Sequence, residues 1–311
     1  MRTVHKKTFG ILTILGAAAC FAFMNYFVNA AGDLPLMQKV FFRNFIATLI
    51  VFVLLLFEKQ KFRIHDRSCI PWLFLRSAIG FLGVVLNFYA IDHIGSISDA
   101  SILNKLSPFF AILFSVLLLK EKPKIPEIIF VLIAFAGAIC VINPSFSMEV
   151  VPAVAGFAGG ACAGFAYTCV RILGVKGERS NMTVFFFSAF STLVSAPFFI
   201  ANAAPMSAMQ VTFLLLSGVS AAGGQFCITA AYRLAPAKEI AVFDYAQVLF
   251  AALLGYFLLD QTVKPLSVVG YAIILFAAFG RWAYTLYRIK REKKMLHSNP
   301  MDMKKTNTEY K

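Results

Sequence analysis

Apolar runs of about twenty residues, the length that crosses a hydrocarbon core, follow one another along this chain with little between them. Ten are read: 9–31, 34–57, 70–91, 97–119, 125–143, 152–173, 182–202, 209–232, 238–259 and 266–287. The connections are too short to hold a soluble domain of useful size. The pattern predicts an all-α integral membrane protein of ten transmembrane helices. Span four departs from it. "SISDASILNKLSPFFAILFSVLLLKEK" (96–122) carries no charge from Phe109 to Leu119, yet its first half holds Asp99, Asn104, Lys105 and Pro108. At helical spacing Ser101, Asn104, Lys105 and Pro108 share one face. Pro108 also removes the backbone hydrogen bond to the Asn104 carbonyl. The expectation is one kinked helix whose polar half lines a cavity.

Composition supports the membrane reading. The chain is 59% hydrophobic and 14% charged, against about a quarter charged in soluble domains. A net charge of +14 would fit nucleic acid, but its distribution does not. Of the 29 Lys and Arg residues, 23 lie in the N-terminal tail, the even-numbered connections and the C-terminal tail. The odd connections hold only Lys264. Basic residues mark the cytoplasmic side, so both termini are expected there, and no nucleic-acid partner is implied.

Two resemblances mislead. The basic start followed by an apolar run is like a signal peptide, and "GAAAC" ending at Cys20 is like a lipoprotein site, but the run to Ala31 is too long and reads as span one. The Asn181 sequon falls on the expected cytoplasmic side and should be unused. No cysteine spacing matches a metal site, and none of His5, His65, His93 and His297 lies deep in a span. No metal or cofactor is implied.

The two halves of the chain are alike. "GAAACFAF" (16–23) aligns with "GACAGFAY" (160–167), and "VFFRNFIATL" (40–49) with "VFFFSAFSTL" (184–193), both at an offset of 144. At 141, Leu75, Gly83 and Ala90 fall on Leu216, Gly224 and Ala231. At 140, Glu121 falls on Gln261. Five spans per copy is odd, so the second copy enters the membrane inverted, as in many secondary transporters. The expected units are 1–143, an inverted 152–288, and a basic cytoplasmic tail, 289–311.

These residues carry a family resemblance. Arg43, "LRSAIGFLGVVLNFYAI" (75–91) and "SDASILNKLSPFFAILFSVLLLKEK" (98–122) resemble the drug/metabolite transporter superfamily in its EamA-type ten-helix branch. Ala100, Pro108, Leu118 and Glu121 match its Ala-turn, Pro and Leu-x-x-Glu pattern in the first copy, while Val248 and Gln261 depart from it in the second. The resemblance covers roughly residues 9–288. It implies two inverted five-helix repeats and a central cavity lined by spans one, three, four, six, eight and nine.

Polar residues fall on that set of spans. Helix three offers Arg76, Gly80, Gly83 and Asn87 in one stripe, and span one offers Asn25 and Asn29. Tyr167, Gln225 and Tyr232 come from spans six and eight. Asp244, Tyr245 and Gln247 come from span nine, the counterpart of span four. Together with Ser101, Asn104 and Lys105 these are the candidate solute-binding residues. Asp244 and Asp99 are the candidates for proton coupling, since burial raises a carboxylate pKa toward neutrality. Asp99 reads equally as a helix cap. Arg43 and Arg76 read equally as partners in a structural salt bridge or carbonyl contact. Arg281 and Lys39 are expected to snorkel to the two interfaces. Gly156, Gly160 and Gly164 in span six read as packing.

No Walker-type loop is present, so ATP is not the driver within this chain. The expectation is a secondary transporter of the bacterial-type plasma membrane, with a small-molecule solute and the lipid bilayer as partners, as a monomer or homodimer. Lys105 with Asp244 suits a zwitterion, an amino acid or a derivative. Export of cationic drug-like or nucleotide-like solutes stays open, as does the different class of intramembrane enzyme.

Overall fold

The computed structural model describes residues 2–93, 103–143, 149–258 and 265–298. All regular structure among them is helical. The long helices are α1 (Arg2–Ala30), α2 (Leu36–Phe57), α3 (Ile70–His93), α4 (Ser107–Leu119) and α5 (Ile125–Ile142), then α6 (Val150–Val175), α7 (Ser180–Ala201), α8 (Ala208–Leu234), α9 (Ala246–Leu258) and α10 (Pro265–Ser298). A 3-10 turn, Arg67–Cys69, leads into α3. In lipid every backbone amide must be satisfied within the chain, so uninterrupted apolar runs become helices. Among the described residues nine helical stretches are long and apolar enough to span, and α4 is a shorter apolar helix. Phe57, Leu193, Ile200 and Phe257 stand exposed on the outside, as residues facing acyl chains would.

Helix ends follow local chemistry. Pro126 opens α5, and the Glu127 carboxylate accepts from the Lys124 amide at 2.8 Å. Asn143 closes α5 in the left-handed region, a conformation that asparagine tolerates. Ser207 and Gln210 cap α8 reciprocally.

The most extensive packing joins α1 to α8 and α3 to α6. Next come α5 with α10, α2 with α7, α4 with α6, α2 with α8, α1 with α9, and α3 with α7. Exchanging the first five helices for the last five maps every one of these pairs onto a member of the same set. Side chains of aligned segments also meet: Thr48 and Thr192 hydrogen-bond each other at 3.2 Å. Close approach of α4 and α6 depends on the glycine stripe. A Cβ on Gly164 would lie 2.7 Å from the Ser107 carbonyl oxygen and from the Ala111 nitrogen, and one on Gly160 would lie 2.7 Å from the Leu103 carbonyl oxygen. The stripe is therefore packing surface, and it lies against the start of α4.

The two ends of the bundle differ. At one end the even-numbered connections meet: Arg179 pairs with Glu58 and donates to the Lys61 and Arg63 carbonyls, and Lys238 donates to the Lys122 carbonyl. At the other, Gln38 exchanges two hydrogen bonds with the Ala204 backbone, and Gln210 donates to the Ala31 carbonyl.

Two expected helices are broken. The described part of span four is not one continuous helix: Leu103 and Asn104 are helical, Lys105 and Leu106 make a turn, and α4 begins at Ser107. Pro108 sits in its first turn, where a missing N–H costs nothing, so it starts a helix rather than bending one. The single polar face expected for Ser101, Asn104, Lys105 and Pro108 is thus interrupted. Asp99 and Ser101 lie outside the described residues. Span nine is likewise not continuous: a helical turn, Ala237–Ile240, and a 3-10 segment, Ala241–Tyr245, precede α9. Helix α4 is 13 residues long, about 20 Å, short of the roughly 30 Å core, whereas α9 is prolonged by the 3-10 segment and the turn before it into a 22-residue stretch, Ala237–Leu258.

Candidate functional site

The two breaks face each other. Lys105 stands two residues before α4 and Asp244 two residues before α9. Their charged groups approach to 3.6 Å between Nζ and Oδ2, with both side chains buried. Lys105 Nζ also donates to Gln247 Oε1 at 2.6 Å, and the Tyr245 hydroxyl donates to the Lys105 carbonyl at 3.0 Å. Tyr245 thereby satisfies one backbone acceptor of the turn before α4. Irregular backbone inside a membrane is tolerated where protein or a water-lined cavity covers it. Four residues, Lys105, Asp244, Tyr245 and Gln247, thus form one constellation drawn from both halves of the chain.

Within it the short hydrogen bond goes to the Gln247 amide, while the ion pair is longer than a charge-assisted hydrogen bond of about 2.7–2.9 Å. Asp244 accepts no side-chain hydrogen bond from the described residues. Its lone pairs remain available to a cationic group or a proton.

A second group lies beside the first. Tyr167 stacks on Tyr232 with ring centroids 4.9 Å apart, and both tyrosines interact electrostatically with Asp244. Arg76 donates to Gln225 Oε1 at 3.0 Å, and its guanidinium lies over the Phe187 ring at 3.8 Å. Gly80 makes room for this: a Cβ there would come within 2.6 Å of the Arg76 terminal nitrogen. Arg76 Nε is buried without a partner. Arg43 is 8% exposed, makes no hydrogen bond or ion pair among the described residues, and lies close enough to Arg76 and Tyr167 to interact with both electrostatically. Neither arginine forms a salt bridge among the described residues.

Other candidates stand apart. Asn25 and Asn29 are exposed, and their side chains make no hydrogen bond among the described residues. Asn104 is half-buried, and its side chain also makes no hydrogen bond among the described residues. The Asn87 backbone packs on Gly159, and its Oδ1 is buried without a partner. Among the described residues no group of His, Cys, Asp and Glu could hold a metal ion.

Arg281 does not snorkel. It is 1% exposed and donates to Glu127 at 3.3 Å, to Thr285 at 3.0 Å and to the Lys238 carbonyl at 3.2 Å. Glu127 is wholly buried and also pairs with Arg288 at 3.2 Å. Glu121, the family-pattern acid, receives two hydrogen bonds from Arg171 and one from Ser115. These networks escape sequence reasoning because each joins the two halves or distant helices, apart from the local Ser115 contact. Only Thr48 with Thr192 had a signal, since they coincide at the repeat offset.

The chain resembles known proteins over most of its length. The EamA-like transporter family matches residues 8–143 and 151–281. The pseudopaline exporter CntI of Pseudomonas aeruginosa is 34% identical over 273 residues, covering 86% of this chain and 94% of that protein. The S-adenosylmethionine uptake transporter of Rickettsia prowazekii is 22% identical over 267 residues, covering 84% and 85%. A crystal structure at 14% identity superposes with a TM-score of 0.76, covering 90% of this chain and 98% of the other, which shows the shared fold. The apolar spans and the bacterial relatives make this a multi-pass protein of the inner membrane. With both halves matched and a relative aligned over nearly its whole length, the chain belongs to the EamA-like transporter family.

Proposed function

We propose that this protein is a secondary transporter that moves an amino acid or amino-acid derivative by alternating access, with Lys105, Asp244 and Gln247 at the centre of its solute site. The observation that carries this reading is the meeting of Lys105 and Asp244 at two opposed helix breaks. Half-helix ends at a repeat interface are where secondary transporters hold solute. Lys105 would hold an anionic group, and Asp244 a cationic one or a proton. The methionine part of the solute that names the Rickettsia relative is chemically of this class. Purified protein in liposomes should exchange labelled amino-acid-type solutes, and Asp244→Asn should retain exchange while losing the response to a pH gradient. Transport of quaternary amines alone would replace the zwitterion with a cationic solute. Full proton-driven transport by Asp244→Asn would remove Asp244 from coupling.

The reading includes two inverted repeats, 1–143 and 152–288, with both termini cytoplasmic. Its support is the exchange symmetry of the helix pairs, the Thr48–Thr192 contact, and the gathering of basic connections at one end. In intact cells, single cysteines at Lys61 and Arg179 should be shielded from impermeant thiol reagents, and one at Asn202 should react. The opposite pattern would reverse the orientation.

A further inference from the structure

The charges around the proposed site do not balance. Arg43, Arg76 and Lys105 bring three cations, and Asp244 is the only carboxylate that interacts with this set among the described residues. The imbalance is one-sided in the repeat. Arg43 aligns with Phe187, and that phenylalanine is the ring on which Arg76 lies. The second copy therefore supplies an apolar shelf where the first supplies a charge. Arg43 and Arg76 are more than nine-tenths buried and lie close enough to repel each other; Arg76 Nε is buried without a partner, and Arg43 makes no hydrogen bond among the described residues. Two like charges held in a low-dielectric interior without a counter-charge are strongly unfavourable. A guanidinium presents its donors in a planar fork that matches a carboxylate. Tyr167 adds a hydroxyl near both.

We propose that Arg43 and Arg76, with Tyr167, form an anion subsite beside the Lys105–Asp244 pair, and that the transported solute carries at least two carboxylates as well as an amine. This deepens the transporter reading and rests on it. One carboxylate meets Lys105 and the other meets the arginine pair, so a plain amino acid with one carboxylate fills the site incompletely.

The test uses full-length protein in nanodiscs of phosphatidylcholine, which offers no anionic headgroup. Thermal unfolding is followed with glutarate, butyrate and glutaramide at matched ionic strength. Glutarate should stabilise the protein at concentrations where butyrate and uncharged glutaramide do not. Arg43→Gln should weaken glutarate by roughly tenfold, the factor carried by a hydrogen bond to a charged group, and Arg43→Lys should restore part of it. Arg76→Gln provides the same reading should Arg43→Gln not fold. Glutarate acting no better than sodium chloride on the wild type would overturn the subsite. So would an undiminished glutarate preference in folded Arg43→Gln. Stabilisation by added phosphatidylglycerol in place of glutarate would assign the arginines to a lipid and refute the solute. The two readings fail separately: glutarate preference without solute exchange in liposomes removes the transporter and keeps the subsite, while exchange without that preference does the reverse.

Discussion

Lys105→Ala is expected to weaken solute binding by roughly ten- to hundredfold, the equivalent of about 1.5–3 kcal/mol for a hydrogen bond to a charged group. It should also destabilise the fold. Removing the ammonium leaves Asp244, which is 6% exposed, without a cation. Breaking one side of a buried pair costs about 3–5 kcal/mol, whereas removing both sides is often nearly neutral. The double variant Lys105→Ala/Asp244→Ala should therefore regain most of the stability and none of the binding. Calorimetric binding and thermal unfolding on purified protein separate the two effects. Normal binding by Lys105→Ala would move the solute site elsewhere. A double variant as unstable as the single one would show that Lys105 stabilises the break through its stem and its bond to Gln247 rather than through Asp244.

Arg281→Ala should destabilise the fold while leaving the solute site intact. The residue lies one turn before Thr285 and reaches Glu127 on α5, whose carboxylate is fully buried. Arg288 remains at 3.2 Å from that carboxylate, so the loss should sit near the low end of the range for a broken buried pair, about 3 kcal/mol. Glu127→Gln in the same background removes the uncompensated charge and should recover part of it. Unfolding temperature measured beside solute affinity checks both halves of the expectation. An Arg281→Ala protein that melts as the wild type does would mean that Arg288 alone neutralises Glu127.

The two variants show where sequence reasoning succeeds and where it stops. Lys105, Asp244 and Gln247 were readable as a set because ionisable groups inside spans are costly and must meet a partner or water. The repeat then placed spans four and nine as counterparts. Pro108 was read for the wrong consequence. The sequence pattern assigns its lost hydrogen bond to a helix interior, but the chain puts it in the first turn of α4. Arg281 was misplaced because distance along a span measures depth but says nothing of which neighbour fills that depth. A snorkelling arginine and one paired with Glu127 have the same local sequence. The isolation of Arg43 was equally invisible, since the absence of a carboxylate around it is a property of every helix that packs there.

By itself the sequence determined the membrane class, the succession of apolar spans, their sorting by charge and the likeness of the halves. Each of these is a sum over neighbouring residues: transfer of about twenty side chains into hydrocarbon, or the count of basic residues in one short connection. The tertiary structure alone decided that spans four and nine are broken, that Lys105 meets Gln247 across 142 residues, and that Arg281 meets Glu127 across 154. A charge inside a membrane must be compensated by whatever group the packing brings within a few ångströms. That group is chosen by helix contacts such as the glycine stripe of α6 against the start of α4, which no local pattern encodes.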